Sequence, residues 1–525
     1  MRPERETILR TLFAMFAMFA MFVMFAPATV AAPAAGATIP VSVTREIHTR
    51  PLAPGFVGLA FEYRSIPGLA GSHAAASVDP VLVALARALN PSGGTVVRIG
   101  GQSADRSWWP VPGMRQPLGI TYDLTPDWVA SAGALAQALD ARLILGLGLE
   151  ADSPRIDALE ARALIAGLGD RLLAMTIGNE PLLYSQIPWY RTLNGSPIPW
   201  YATDGTPVFA RNPAYGPANY EQEWSRAAAA LPASVPLAGP DGGSLPWLDS
   251  FEARLSRRSR VRFVTLHAYP LSVCDTDPLS TGYPSVPNLL LPTASTAGLA
   301  GLGPEIALAH RYGAEIYIDE LGSVSCNGLA GVSNTLASAL WLVDELFQAD
   351  SAGIDAVQLH SFSNSVNDLF DFRLTRRRWR ATVRPLYYGA LMFTRAAPAG
   401  SRLLRTVSGD PAGLRAWATV AHDRRIRVML INDSLSGPAT AVVRVLGRDH
   451  FTGSAAAHAA AVQRLHAASA YSTSGVTLGG AGFGSSTPTG VLPSPVPQTV
   501  SLRGGVYRVS LPPGSATLLT VPPVR

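Results

Sequence analysis

Apolar runs of strand length recur along the first three-quarters of the chain, and most of them follow a stretch whose apolar positions have helical spacing. Phe56–Glu62 reads as a buried strand. A helix over Val81–Leu89 precedes strand Thr95–Gly101, a helix over Trp128–Leu139 precedes strand Arg142–Gly148, and a helix over Arg155–Leu168 precedes strand Met175–Glu180. The rhythm continues with helix Tyr220–Leu231 and strand Val235–Gly239, then strand Val261–Leu266. Helix Pro304–Tyr312 leads to strand Ala314–Asp319, and helix Asn334–Phe347 leads to strand Ile354–Leu359. Short continuous apolar runs between helices mark strands buried on both faces. Eight of them predict a (β/α)8 TIM barrel over residues 56–397, with its active site at the C-terminal strand ends. A doubly wound open sheet fits less well, because no Gly-rich phosphate loop follows the first strand.

After a helix over Val383–Arg395 the texture changes. Residues 398–525 are rich in Gly, Ser, Thr and Pro, with short alternating runs such as Leu414–Val420, Ile426–Ile431, Thr440–Val445 and Ala516–Val521. That pattern predicts a C-terminal antiparallel β-sandwich. Residues 36–55 hold one more alternating strand (Val41, Val43, Ile47) with no place in the barrel, so it is expected to pair with the C-terminal sheet. Residues 1–35 carry Arg2, Arg5 and Arg10, an uncharged apolar stretch from Leu12 to Ala26, then small residues. This is the layout of a secretory signal peptide, so the expected location is extracellular. An uncleaved anchor is the alternative, although the apolar stretch is shorter than the roughly 20 residues of a span.

The charge balance changes little. The 525 residues carry a formal net charge of +5 with all 42 basic residues being arginine, and these are scattered. The cluster Arg376-Arg377-Arg378 with Arg380 is too short to argue for nucleic-acid binding. A mildly basic surface favours acidic polysaccharides. Two cysteines, Cys274 and Cys326, are expected to form a disulfide between neighbouring loops, as a single pair in an exported protein does. Neither has a second Cys or His at ligand spacing, so no metal or other cofactor is expected.

Candidate chemistry gathers at the strand ends. The fourth barrel strand ends in Gly178-Asn179-Glu180-Pro181 and the seventh in Asp319-Glu320. Two carboxylates facing each other across a barrel mouth suit glycosidic cleavage, in which one donates a proton to the leaving oxygen and the other attacks the anomeric carbon or activates water. Glu180 is the first candidate for the acid. Asp319 rivals Glu320, but alternation along a strand sends neighbouring side chains to opposite faces, so one of the two is expected at the mouth. Tyr269, in His267-Ala-Tyr-Pro270, is placed to hydrogen-bond the second carboxylate. Trp108, Trp109, Trp189 and Trp200 are candidates for stacking on sugar rings, and Asn194-Gly-Ser and Asn432-Asp-Ser match glycosylation sequons.

Six ordered motifs, Arg98-Ile-Gly-Gly-Gln-Ser-Ala-Asp105, Gly178-Asn-Glu-Pro181, His267-Ala-Tyr-Pro270, Asp319-Glu-Leu-Gly-Ser323, Gly331–Trp341 and Val383–Gly389, together resemble glycoside hydrolase family 79. That family holds β-glucuronidases and heparanases on retaining (β/α)8 barrels. The resemblance implies Glu180 as acid/base and Glu320 as nucleophile. It also implies Asn179 on the sugar 2-hydroxyl and Glu62 and Gln102 in the glycone subsite. Two departures from the family stand out. Ser325 stands about where a uronate-binding Tyr is expected, and a second family Tyr has no counterpart in Ser361–Phe372. Asn327, Gly328 and His360 are then the candidates for holding a sugar carboxylate. The expected function is an exported retaining β-glycosidase acting on β-glucuronides or related uronic-acid glycans. The alternatives are the same mechanism on a neutral β-glycoside (glucoside, galactoside, xyloside) and a carbohydrate-binding protein without turnover. The expected partner is a carbohydrate, with neither nucleic acid nor a stably inserted membrane segment.

Overall fold

The computed structural model describes residues 36–70, 78–242, 244–362, 365–375, 378–446 and 458–523; the expected signal segment, Arg376 and Arg377 lie outside them. Among the described residues no helix is long and apolar enough to cross a membrane. The first strand, β1 (Ala37–Ile47), belongs to the C-terminal sheet. The barrel strands are β2 (Val57–Glu62), β3 (Val96–Gly100), β4 (Arg142–Leu147), β5 (Leu172–Ile177), β6 (Leu237–Pro240), β7 (Val261–Ala268), β8 (Glu315–Leu321) and β9 (Ala356–His360). They run parallel, and β9 hydrogen-bonds back onto β2 to close the barrel.

The helices between them start where the chemistry of a helix N-terminus places them. α1 (Pro80–Leu89) and α2 (Pro126–Leu139) open with Pro in the first turn, and the Asp79 and Thr125 side chains accept from the free N–H groups of Val81 and Trp128. α3 (Pro154–Leu168), α4 (Pro217–Ala230), α5 (Leu245–Glu252), α6 (Gly303–Tyr312), α7 (Leu336–Ala352) and α8 (Pro385–Ala396) complete the outer layer. α7 is buried almost throughout, with Trp341 fully enclosed, because it lies beneath both α8 and the sandwich.

The C-terminal sheet has ten strands and encloses its own core of residues such as Val41, Val428, Val443, Val509 and Leu519. Within it β1 lies between Arg402–Ser408, antiparallel, and Ala439–Val445, parallel. An ion cluster joins this sheet to the barrel. Arg415 Nη1 reaches Asp344 of α7 at 2.6 Å, Arg415 Nε reaches Asp433 at 2.9 Å, and the Trp417 ring stacks on Phe347.

Four small sheets appear among the described residues where the sequence predicts no strand, the largest of them after β5. Tyr190–Leu193, Ser196–Ile198 and Thr206–Val208 form a three-stranded sheet after β5, and Phe370–Thr375 pairs with Arg378–Val383. The strands of the first are short, half-exposed and interrupted by Pro, so their periodicity is weak. Their signal is the turn Asn194-Gly195, where both residues have positive φ (51° and 78°), as a two-residue hairpin requires.

Candidate active site

At the C-terminal mouth of the barrel the structure gathers residues from seven strand ends around one fully buried guanidinium, Arg98 of β3. Arg98 Nη1 donates to Glu320 Oε2 at 2.7 Å, and Nη2 donates to Asn179 Oδ1 at 2.8 Å and Asp241 Oδ1 at 3.0 Å. Arg98 Nε lies 3.3 Å from Asp319 Oδ2. An arginine buried in an apolar strand needs this surround, since an unpaired buried charge is strongly unfavourable.

Asp319 and Glu320 thus touch the same arginine, contrary to strict alternation. The cause is a β-bulge: Leu266 pairs with Ile318 but His267 pairs with Glu320, leaving Asp319 out of register. The neighbouring acids divide their charge. Asp319 is pushed well above the usual carboxylate range by burial and by Asp241, whereas Asp241 is held below that range because Arg98, His267 and Asp319 outweigh its burial.

Glu320 has three further neighbours. Tyr269 donates its hydroxyl to Oε1 at 2.6 Å, His360 Nδ1 lies 3.0 Å from Oε1, and His267 Nδ1 lies 3.9 Å from Oε2. Burial acts to raise the Glu320 pKa, but His360, His267 and Arg98 outweigh it and hold the carboxyl well below its ordinary value. Both imidazoles move the opposite way. His360 is pushed up to about 9, as Glu320 and Glu62 outweigh burial, and His267 is raised well above its usual value.

Glu180 follows β5 in the left-handed conformation (φ 48°). Its backbone N–H donates to Asp241 O at 2.7 Å, and Oε1 lies 3.2 Å from His267 Nδ1. Its side chain is about one-quarter exposed (23%), so it faces the mouth while Glu320 is enclosed. A carboxylate oxygen of Glu180 and one of Glu320 lie within 4.8 Å of each other and of His267. The preceding segment is clamped by Asp105, which accepts from the N–H groups of Leu149, Glu150 and Asn179 and from the Tyr184 hydroxyl. Tyr184 crosses directly over Gly178 (φ 81°), where a Cβ would come 2.6 Å from its hydroxyl, so the turn into Asn179 and Glu180 needs glycine.

The remaining predicted positions fall in two groups. Glu62 accepts from Ser103 N at 2.8 Å and lies 3.5 Å from His360 Nε2, so it stands beside the His360–Glu320 pair. Gln102 and Asn179 share a recess with Glu180. Asn327 and Gly328 instead sit on the rim, in a left-handed turn with Cys326, and the Asn327 carbonyl accepts from Val366 N at 3.0 Å. The predicted disulfide is not formed. Cys274 and Cys326 are free thiols whose sulfurs lie 3.4 Å apart, against the ~2.05 Å of a bond. The loops carrying them are already joined by pairing of Leu271–Ser272 with Val324–Ser325 and by the Ser325–Ser272 hydroxyl contact at 2.8 Å. Burial and Cys274 together push the Cys326 thiol up to about 11. Of the tryptophans, Trp108 is packed in a small core with its indole N–H on Asp123, whereas Trp200 lies against Arg106 beside the recess. Asn432 is fully buried with its amide bound to the Gly437 and Pro512 carbonyls, so that sequon is not presented.

Sequence reasoning gave no role to Arg98, Asp241 or Asp105. The signal for Arg98 was a charged residue inside the apolar run Val96-Val-Arg-Ile-Gly100. Two sets of donors at metal-ligand spacing occur here, Glu180/His267/Glu320 and Asp241/His267/Asp319, but Arg98 already bonds or pairs with three of these carboxylates.

The fold and the acid-lined mouth define a (β/α)8 barrel carrying a β-sandwich. Solved structures share this architecture over nearly the whole chain. The chain is similar to a 4-O-α-L-rhamnosyl-β-D-glucuronidase from Fusarium oxysporum 12S at 20% identity and TM-score 0.67, over 92% of this chain and 100% of that one. It is similar to the GH51 arabinofuranosidase of Xanthomonas axonopodis pv. citri at 14% identity and TM-score 0.60, covering 92% and 99%. It is also similar to a Paenibacillus polymyxa family 44 xyloglucanase at 12% identity and TM-score 0.57, covering 93% and 100%. No family model and no curated protein sequence matches the chain.

Proposed function

We propose that the protein is a retaining β-glycosidase, with Glu320 as nucleophile and Glu180 as acid/base. The observation that carries this reading is the pair of carboxylates with oxygens within 4.8 Å of each other at the barrel mouth. Retaining enzymes hold their carboxyl groups about 5–5.5 Å apart, whereas inverting ones leave about 6.5–9.5 Å for a water. In the first step Glu320 bonds to the anomeric carbon while Glu180 gives its proton to the departing oxygen. In the second, Glu180 takes a proton from water, and that water displaces Glu320. Arg98, Tyr269 and the two imidazoles keep Glu320 ionised for attack. Asn179, fixed by Arg98 and Asp105, is placed to meet a hydroxyl beside the reacting carbon.

The glycone we propose is a β-glucuronide, and the family is glycoside hydrolase family 79. Support comes from His360, an imidazole pushed up to about 9 between Glu62 and Glu320, and from the likeness to a structure titled as a glucuronidase. Export through the 1–35 segment completes the reading. The test is hydrolysis of aryl β-glucuronide, galacturonide, glucoside, galactoside and xyloside, with Glu320→Ala as control. Glucuronide turnover lost in the control supports the full reading, turnover of neutral sugars alone retains the mechanism and rejects the uronate, and silence across the panel rejects both.

A further inference from the structure

Arg106 is 6% exposed and stands on the loop after β3, in the wall of the recess that Glu180, Asn179, Gln102 and Glu150 share. That recess has an empty volume of ≈ 240 Å³, open to solvent. Of its five N–H groups, Arg106 gives one to Gln102 O at 3.0 Å and one to Pro188 O at 3.4 Å. Its Nε has no hydrogen-bond partner. A buried guanidinium needs a counter-charge, and the two nearby carboxylates supply it without a direct hydrogen bond. Asp105 spends its oxygens on Leu149, Glu150, Asn179 and Tyr184. Glu150 comes only within 3.9 Å, its Oε2 is itself unpartnered, and burial together with Asp105 raises its pKa well above the usual range. The Arg106 guanidinium lies over the Trp200 ring, 5.2 Å from its centroid.

We propose that this recess is the subsite for the sugar on the leaving side of the cleaved bond, and that it takes an acidic sugar whose carboxylate pairs with Arg106. The inference rests on the glycosidase reading above and deepens it. Glu180 protonates the leaving oxygen, so the recess it lines receives the aglycone, which takes Gln102 from the glycone subsite that the family resemblance implies for it and leaves Asn179 at the boundary between the two. A carboxylate there accepts from the unspent N–H groups of Arg106, and a neighbouring hydroxyl meets Glu150. The substrate is then an acidic oligosaccharide chain rather than an isolated glucuronide.

The test is calorimetric binding to the Glu320→Gln chain of two probes, a β-1,4-linked glucuronic acid trisaccharide and its neutral counterpart cellotriose. Adding Arg106→Gln is expected to weaken the acidic trisaccharide by about 10–100-fold, the worth of a charged hydrogen bond, and cellotriose by about threefold or less. Arg106→Lys, which keeps the charge, is expected to recover most of the loss. Equal weakening of both probes, or unchanged binding of the acidic one, overturns the proposal. If Arg106→Gln fails to fold, Arg106→Met decides, with acid-selective weakening in support and equal weakening or unchanged binding against. Turnover of aryl glycosides by the unmodified chain, measured in parallel, separates the two readings. Turnover without an Arg106-dependent acid preference overturns the subsite alone, and Arg106-dependent binding without turnover overturns the glycosidase reading alone.

Discussion

Arg98 donates to Glu320 across 2.7 Å from a position with no solvent exposure, and the same guanidinium holds Asp241 and Asn179. One side chain therefore carries both the ionisation of the candidate nucleophile and the stability of the strand ends. Replacing Arg98 with Met leaves Asp241 and Glu320 buried without their central counter-charge, an expected loss of about 3–5 kcal/mol. Calorimetric melting is expected to show a clearly lower Tm, and an unchanged Tm would mean that the acids take up protons at little cost.

The two carboxylates are expected to respond differently to the leaving group. Glu180→Gln removes the proton donor, so turnover of a sugar leaving group is expected to fall by 10² or more, while an activated aryl group that departs without a proton loses far less. Glu320→Gln is expected to abolish turnover of both. Steady-state kinetics on matched aryl and disaccharide substrates distinguish the roles, and equal losses for both classes in Glu180→Gln would remove it as the acid.

Tyr269→Phe deletes the 2.6 Å hydrogen bond to Glu320 together with the 3.0 Å contact to His360 Nδ1. A hydrogen bond to a charged group is worth about 1.5–3 kcal/mol, so kcat is expected to fall about 10–100-fold with KM nearly constant. A change confined to KM would instead mark Tyr269 as a sugar contact.

His360 gives the pH dependence its sign. Its folded value of about 9 lies above the ordinary imidazole value, so the interaction with Glu320 and Glu62 is complete below about 6.5 and is lost as pH rises through about 9. An alkaline limb of kcat/KM near 9 is expected in the native chain and is expected to vanish in His360→Asn. A limb that persists in the variant belongs to another group.

Cys274 and Cys326 are expected to react with a thiol-disulfide exchange reagent such as oxidised glutathione. One sulfur forms a mixed disulfide and the other displaces it, so two thiols become one disulfide and two glutathione thiols are released. Thiol titration before and after treatment measures this. Retention of both thiols would show that pairing of Leu271–Ser272 with Val324–Ser325 holds the sulfurs at contact distance.

The barrel was legible in the sequence because its strands are doubly buried and its helices begin at Asp79-Pro80 and Thr125-Pro126, where local chemistry and packing agree. The positions of Glu180 and Glu320 at strand ends were legible for the same reason. What alternation hid was the bulge at Asp319, since register belongs to strand pairing and leaves no trace in one strand's pattern. The Arg98 network was equally hidden, because its partners lie 81 to 222 positions away. The short strands after Glu180 bury too little to impose a period, and only Asn194-Gly195 announced them.

The place of β1 bears on how the chain assembles. Val41 pairs with Ser408 on one side and Val443 on the other, so a strand that precedes the barrel in the chain fills an interior position in a sheet whose other strands follow the barrel. The barrel strands can meet as they emerge, but β1 must wait until the strands beyond the barrel are made. Closing so long a loop costs little free energy but much time. In that interval β1 presents two unpaired edges open to intermolecular association, and Arg402–Ser408 and Ala439–Val445 cover them when they arrive.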